Sequence, residues 1–163
     1  AALLVIGYAL DSADGQLARL RGGGSPQGEW LDHVADAAKL AALHLAVLIA
    51  WYRFYDLEPV LLLIPVGYVL VETVTFSAII LKDVLAEREA IRSGVRPAAG
   101  AAPGPLRSVL LLPTDYGILC LVFLLLGAPT LFFVAYTLMF VCFGAYGAAG
   151  LVKWYRDVRA LRT

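Results

Sequence analysis

The chain has 163 residues, of which 61% are hydrophobic and 16% charged, and its mean hydropathy is +0.79. That apolar share is too high, and that charge too sparse, for an ordinary soluble domain, so composition alone predicts a membrane protein. Thirteen Lys and Arg balance thirteen Asp and Glu, which leaves no charge argument for a nucleic-acid or polyanionic partner.

Residues 1–10, AALLVIGYAL, are apolar and carry no initiating Met, no basic start and no cleavage-site pattern. They read as the inner part of a spanning helix already under way rather than as a signal peptide. A span needs about 20 residues, and Asp11 to Arg19 is expected to complete this one at a polar end. Arg19 to Gln27, with three successive Gly and a Ser-Pro break, is a turn. A second membrane helix is expected over Gly28 to Tyr52, with Glu29, Asp32 and Asp36 in its opening turns. The helix dipole favours acidic groups in a first turn by ~0.3–1 kcal/mol, which accounts for Glu29 and in part for Asp32. Asp36 lies two turns inside, where a lipid-facing charge would cost ~2.5 kcal/mol or more, and so it needs another explanation.

The next span is Leu57 to Leu81, with Pro59 and Pro65 near its start and Glu72 near its middle. Glu72 is expected to bond to Thr73, Thr75 or a Tyr of a neighbouring helix, or to sit at a subunit contact, in preference to lining an active cavity. Lys82 to Arg107 must lie outside the bilayer, as an amphipathic extension, KDVLAEREAIRSG, and a Gly- and Pro-bearing connector. Two last spans, Val109 to Leu126 and Pro129 to Leu151, are separated by Gly127-Ala128-Pro129, and a basic tail runs from Lys153 to Arg162. Gly144, Gly147 and Gly150 permit close helix approach in the final span. Cys120 and Cys142 have no metal-ligand spacing and read as packing residues. The expected fold is an all-α polytopic membrane helix bundle, one domain over residues 1–163 with five spans. Placing the Asp-rich turn in the cytoplasm puts Arg19, Arg21, Lys82, Arg88, Arg92, Arg96, Arg107, Lys153, Arg156, Arg159 and Arg162 inside and only Arg53 outside, a strong positive-inside bias.

The chemistry concentrates between Asp11 and Asp36. On a helix, Asp11, Asp14, Gly15 and Ala18 fall at i, i+3, i+4 and i+7, one face, and Gly28, Asp32 and Asp36 share a face of the next helix. Antiparallel packing across the turn would bring four carboxylates into one small volume, where they repel unless cations lie between them. All-oxygen ligation suits a hard divalent ion such as Mg²⁺. Asp11, Asp14 and Asp32 are the expected ligands, and Asp36 is the candidate general base and a further ligand.

The pattern D-x2-D-G-x2-A-R-x8-G-x3-D-x3-D, complete here from Asp11 to Asp36, resembles the signature of the CDP-alcohol phosphotransferase family of integral-membrane enzymes. The resemblance implies metal-dependent transfer of a substituted phosphoryl group from a CDP-alcohol to an acceptor hydroxyl with release of CMP, in phospholipid biosynthesis. It implies the same roles for the four Asp, two Mg²⁺ or Mn²⁺ ions, and a homodimer. It also implies a preceding transmembrane helix, six in the full-length protein. The cytidine is expected against Gly15 and Ala18, where side-chain bulk is missing. Arg19 is expected to meet a phosphate, and Gly28 to let the second helix start close to the first. CDP-diacylglycerol is the first expectation for the donor, with a soluble CDP-polyol left open, in a bacterial plasma membrane with the site facing the cytoplasm. Lys82 and Arg107 are candidate contacts for an anionic acceptor. His33 and Lys39 are placed on other faces, flanking the carboxylates without direct substrate contact. The competing readings are a polyprenyl transferase, whose Asp-rich motifs are farther apart, a transporter with intramembrane carboxylates, and a non-catalytic membrane subunit.

Overall fold

The computed structural model describes residues 2–20, 25–94 and 114–161, except for the side chains of Asp14, Ala18 and Arg19. Helix α1 spans Ala2–Leu20, α2 Pro26–Phe54, α3 Leu63–Ser93, α4 Tyr116–Val122 and α5 Pro129–Ala160. Short 3₁₀ turns at Pro59–Leu62 and Phe123–Gly127 lead into α3 and out of α4, and no strand occurs among the described residues.

Local chemistry sets these boundaries. Ser25 caps α2, its Oγ accepting from the Gly28 N–H at 3.1 Å, and Pro26 takes the first helical position, where its missing N–H costs nothing. The helix therefore starts two residues before the expected Gly28. Asp115 caps α4 in the same way, accepting from the Ile118 N–H at 3.2 Å, so the described helix begins inside the span expected from Val109; residues 109–113 of that span lie outside the described residues. α3 runs straight through the expected exit at Leu81 to Ser93 and stops at Gly94, whose φ of 69° is left-handed. Between Lys82 and Ser93 there is no Gly or Pro to end it, and Arg92 donates to both Glu89 carboxylate oxygens, at 2.8 and 2.6 Å, one turn back. α5 likewise absorbs the basic tail, helped by a Lys153–Asp157 pair at 2.6 Å.

Pro26–Phe54, Pro59–Ser93 and Pro129–Ala160 are each long and apolar enough to cross a membrane, and Tyr116–Gly127 is a shorter apolar helix. α2 is 29 residues long, about 43 Å, against a hydrocarbon core of about 30 Å. The excess lets its acidic opening turns stand in the headgroup region. Cross-helix contacts give the directions. His33 meets Phe76 while His44 meets Tyr68, so α2 and α3 are antiparallel; Tyr68 meets Tyr136 while Thr75 faces Gly147, so α3 and α5 are parallel. The carboxylates of α1 and α2 thus share one end of the bundle with the C-terminal ends of α3 and α5.

The core lies between α2, α3 and α5 and is largely aromatic: Trp51, Tyr68, Phe132 and Tyr136 are fully buried. A polar network runs through it. His44, wholly buried, lies flat on the Tyr68 ring at 4.0 Å and uses both ring nitrogens. In the assignment that satisfies every group, Nε2–H donates to Glu72 Oε2 at 2.6 Å and the Tyr136 O–H donates to Nδ1 at 2.6 Å. Glu72 is therefore interhelical glue, as expected, but its partner is His44 and not a Thr, and the Tyr is reached through the imidazole. Thr75 Oγ1 is buried without a hydrogen-bond partner.

The glycines of α5 do not act alike. A Cβ on Gly147 would lie 2.7 Å from Thr75 Oγ1 and 3.5 Å from Val71 Cγ1 of α3, whereas one on Gly144 meets nothing within 4 Å and Gly150 is covered by Trp154 of its own helix. Only Gly147 of the three serves the α3 approach; Gly67 does the same from the other side, 3.0 Å from the Phe140 ring. Gly147→Ala is expected to lower stability by ~1–3 kcal/mol, read as a fall in detergent melting temperature, and Thr75→Ala in the same chain should restore most of it.

Candidate active site

α1 and α2 bring three of the four motif carboxylates together. One carboxylate oxygen from each of Asp11, Asp32 and Asp36 lies within 4.8 Å of the others, Asp11 and Asp32 exposed and Asp36 half-buried. The backbone of Asp14 is one turn along α1; its side chain, and those of Ala18 and Arg19, are outside the described residues, as is the whole of Arg107. Carboxylate oxygens are hard donors, of the kind Mg²⁺ or Mn²⁺ takes in preference to a soft metal, and among the described residues no Cys or His joins the group.

Lys39 overturns its expected place. It is not on another face: its Nζ stands 2.7 Å from Asp36 Oδ1 and 3.2 Å from Asp11 Oδ1, tying α1 to α2. Each bond is partly open to solvent, with 40% of the Lys39 side chain exposed, and such pairs contribute ~0.2–1 kcal/mol. His33 packs edge-on against Phe76 at 6.2 Å.

Two cavities meet at these residues. The larger, about 810 Å³, has Asp11 and Lys39 at one end and continues between α1, α2 and α4 along Leu4, Leu43, Ala46 and Phe123. The smaller, about 220 Å³, is bounded by Asp11, Asp36 and Lys39 together with Tyr8, Phe76 and Tyr116. Tyr8 and Tyr116 face each other at 6.1 Å, and Gly117 makes room for them, since a Cβ there would be 2.7 Å from the Tyr8 ring.

Gly15 is half-buried in α1, and exposed Gly28 packs against its capping Ser25, where a Cβ would stand 3.3 Å from Oγ. Lys82 pairs with Asp83 at 2.6 Å and lines neither cavity. Lys39, Tyr8, Phe76 and Tyr116 were not singled out by the motif. Tyr8 and Lys39 each stand three residues from a motif Asp, a neighbouring position on a helix. Phe76 and Tyr116 arrive from distant helices with no local signal.

Comparison with curated proteins found no match, and neither did comparison with solved structures. The family model of the CDP-alcohol phosphatidyltransferases matches residues 1–149, which include both carboxylate helices and the walls of both cavities. The chain belongs to the CDP-alcohol phosphatidyltransferase family, membrane transferases of phospholipid biosynthesis that move a phosphatidyl group from a CDP-alcohol.

Proposed function

We propose that this chain is a Mg²⁺- or Mn²⁺-dependent enzyme that transfers a phosphatidyl group from CDP-diacylglycerol to the hydroxyl of an acceptor alcohol and releases CMP. The observation that carries the reading is the convergence of Asp11, Asp32 and Asp36 from two helices within 4.8 Å. Asp11, Asp14, Asp32 and Asp36 would hold the divalent ions. Bound there, the ions would neutralise the pyrophosphate and the charge that develops on departing CMP.

The rest is the work of side chains. Asp36 accepts the proton of the acceptor hydroxyl as its oxygen bonds to the lipid-side phosphorus, and the phosphoanhydride bond to CMP breaks. Gly15 and Ala18 leave the backbone of α1 open to the cytidine, and Arg19 pairs with a phosphate. The 810 Å³ cavity supports a lipid donor over a soluble CDP-polyol, because its wall beyond Asp11 and Lys39 is apolar. The 220 Å³ cavity, which Asp36 borders, suits a small acceptor. The proposed setting is a homodimer in a bacterial plasma membrane with the site on the cytoplasmic side. In support, Lys82, Arg88, Arg92, Lys153, Arg156 and Arg159 belong to the helix ends that flank the carboxylates, and Arg53 to the opposite end of α2.

The test is CMP release by detergent-solubilised protein, with CDP-diacylglycerol or CDP-glycerol as donor and a panel of alcohols as acceptors. Release is expected with the lipid donor, lost on chelation and restored by Mn²⁺ or Mg²⁺. Release that survives chelation would overturn the metal dependence, and no release with any pair, alongside no metal-dependent donor binding, would favour a non-catalytic subunit.

A further inference from the structure

We infer that Lys39 is an internal stand-in for the metal: its ammonium bridges Asp11 and Asp36, and a divalent ion that takes these carboxylates displaces it into the cavity proposed for the donor phosphates. The inference rests on the metal-centre reading above and adds to it an order of events and a residue that the signature does not contain.

The geometry is specific. Lys39 Nζ lies 2.7 Å from a carboxylate of α2 and 3.2 Å from one of α1, so a single positive charge joins the two helices at the point where the proposed ions bind. A divalent ion held by these carboxylates would compete with the ammonium for the same oxygens, and its higher charge would win them. The side chain is 40% exposed, so its ion pairs are of the weak class, and its four-carbon stem lets the charge swing without moving the helix. It has somewhere to go, because Lys39 lines both cavities. In the larger one it is the cation at the polar end, beside Asp11, from which a largely apolar wall runs on; the pyrophosphate of a lipid nucleotide would arrive there. The ammonium would thus hold Asp11 and Asp36 together before loading and bind donor phosphate afterwards.

Mn²⁺ binding to the substrate-free protein, followed by loss of the free-ion electron paramagnetic resonance signal, tests this in wild type, Lys39→Gln, Lys39→Arg and Asp36→Asn. Removing the competing charge while keeping most of the side chain's length should tighten Mn²⁺ binding about two- to thirtyfold in Lys39→Gln, the range that two weak ion pairs imply. Lys39→Arg should bind no more tightly than wild type. In turnover, Lys39→Gln should need less Mn²⁺ for half-maximal rate yet show a raised KM for CDP-diacylglycerol, opposite shifts that a merely damaged site would not give. Unchanged or weaker Mn²⁺ binding in Lys39→Gln overturns the inference. Should that variant fail to fold, acylation of Lys39 in the wild type by an amine-reactive ester decides. The rate should rise several-fold on adding Mn²⁺; an unchanged rate overturns the inference. If wild type binds Mn²⁺ and Asp36→Asn weakens it while Lys39→Gln has no effect, Lys39 alone is misassigned. If wild type binds none, the metal centre and the stand-in fall together.

Discussion

Asp36→Asn is expected to lower CMP release by about 10²–10⁴-fold, the range a positioned general base contributes, while donor binding persists. The change keeps the shape of the side chain and one oxygen donor but removes the basic lone pair. Asp11 and Asp32, with oxygens inside the same 4.8 Å cluster, remain to hold an ion and through it the pyrophosphate. Asp36 is also the half-buried member of the trio and, with Asp11, borders the smaller cavity proposed for the acceptor alcohol. The measurement pairs initial rates with calorimetric titration of CDP-diacylglycerol in the presence of Mn²⁺. A large fall in rate with binding within a few-fold of wild type supports the base; equal loss of both would make Asp36 chiefly a ligand. Wild-type turnover would remove it from the mechanism.

How far the sequence predicts this site depends on how local each contact is. Asp11, Asp32 and Asp36 converge because helical spacing and a short turn leave them little choice. Lys39 was legible in the same terms, one turn past Asp36, yet a helical wheel does not show that a flexible stem reaches across to Asp11 at 3.2 Å. Tyr116 joins the site from α4, more than a hundred residues after Tyr8, and its place depends on packing that no local pattern encodes. Helix ends show a similar limit. Hydropathy marks where the bilayer stops, whereas a helix stops at a cap or a breaker, so α3 continues to Gly94 and α5 to Ala160, past the apolar stretches. Glu72 was conspicuous as an acid in an apolar span. Its partner was not, because His44 sits in the run Leu40 to Val47 with nothing beside it in sequence to mark it as polar glue.

That network supplies the second large effect. His44→Leu should lower stability by about 3 kcal/mol, measured as the shift of an equilibrium unfolding curve in mixed detergent. The magnitude lies between two benchmarks. Stranding one partner of a buried ionic pair in a soluble core costs ~3–5 kcal/mol, while single interhelical polar contacts in bilayers average nearer ~0.6 kcal/mol, because the freed group finds another partner. Here the loss strands both the Glu72 carboxyl and the Tyr136 hydroxyl, each 2.6 Å from the imidazole, and removes a ring stacked at 4.0 Å on Tyr68. Thr75 Oγ1, one turn from Glu72 and without a partner of its own, can take up one of the freed bonds, which keeps the cost below the top of the range. The triple variant His44→Leu, Glu72→Leu, Tyr136→Phe removes every stranded group and should return to within ~1 kcal/mol of wild type. If the triple variant is as unstable as the single one, packing of the imidazole and not its hydrogen bonding holds the core. If it is stable, its turnover separates two roles for the network. His44 lies two helical turns from Asp36 on the same face of α2, so hydrogen bonds that fix the rotation of α2 also aim Asp36, and a stable triple variant with a depressed kcat and an ordinary donor KM would trace that aim to the core.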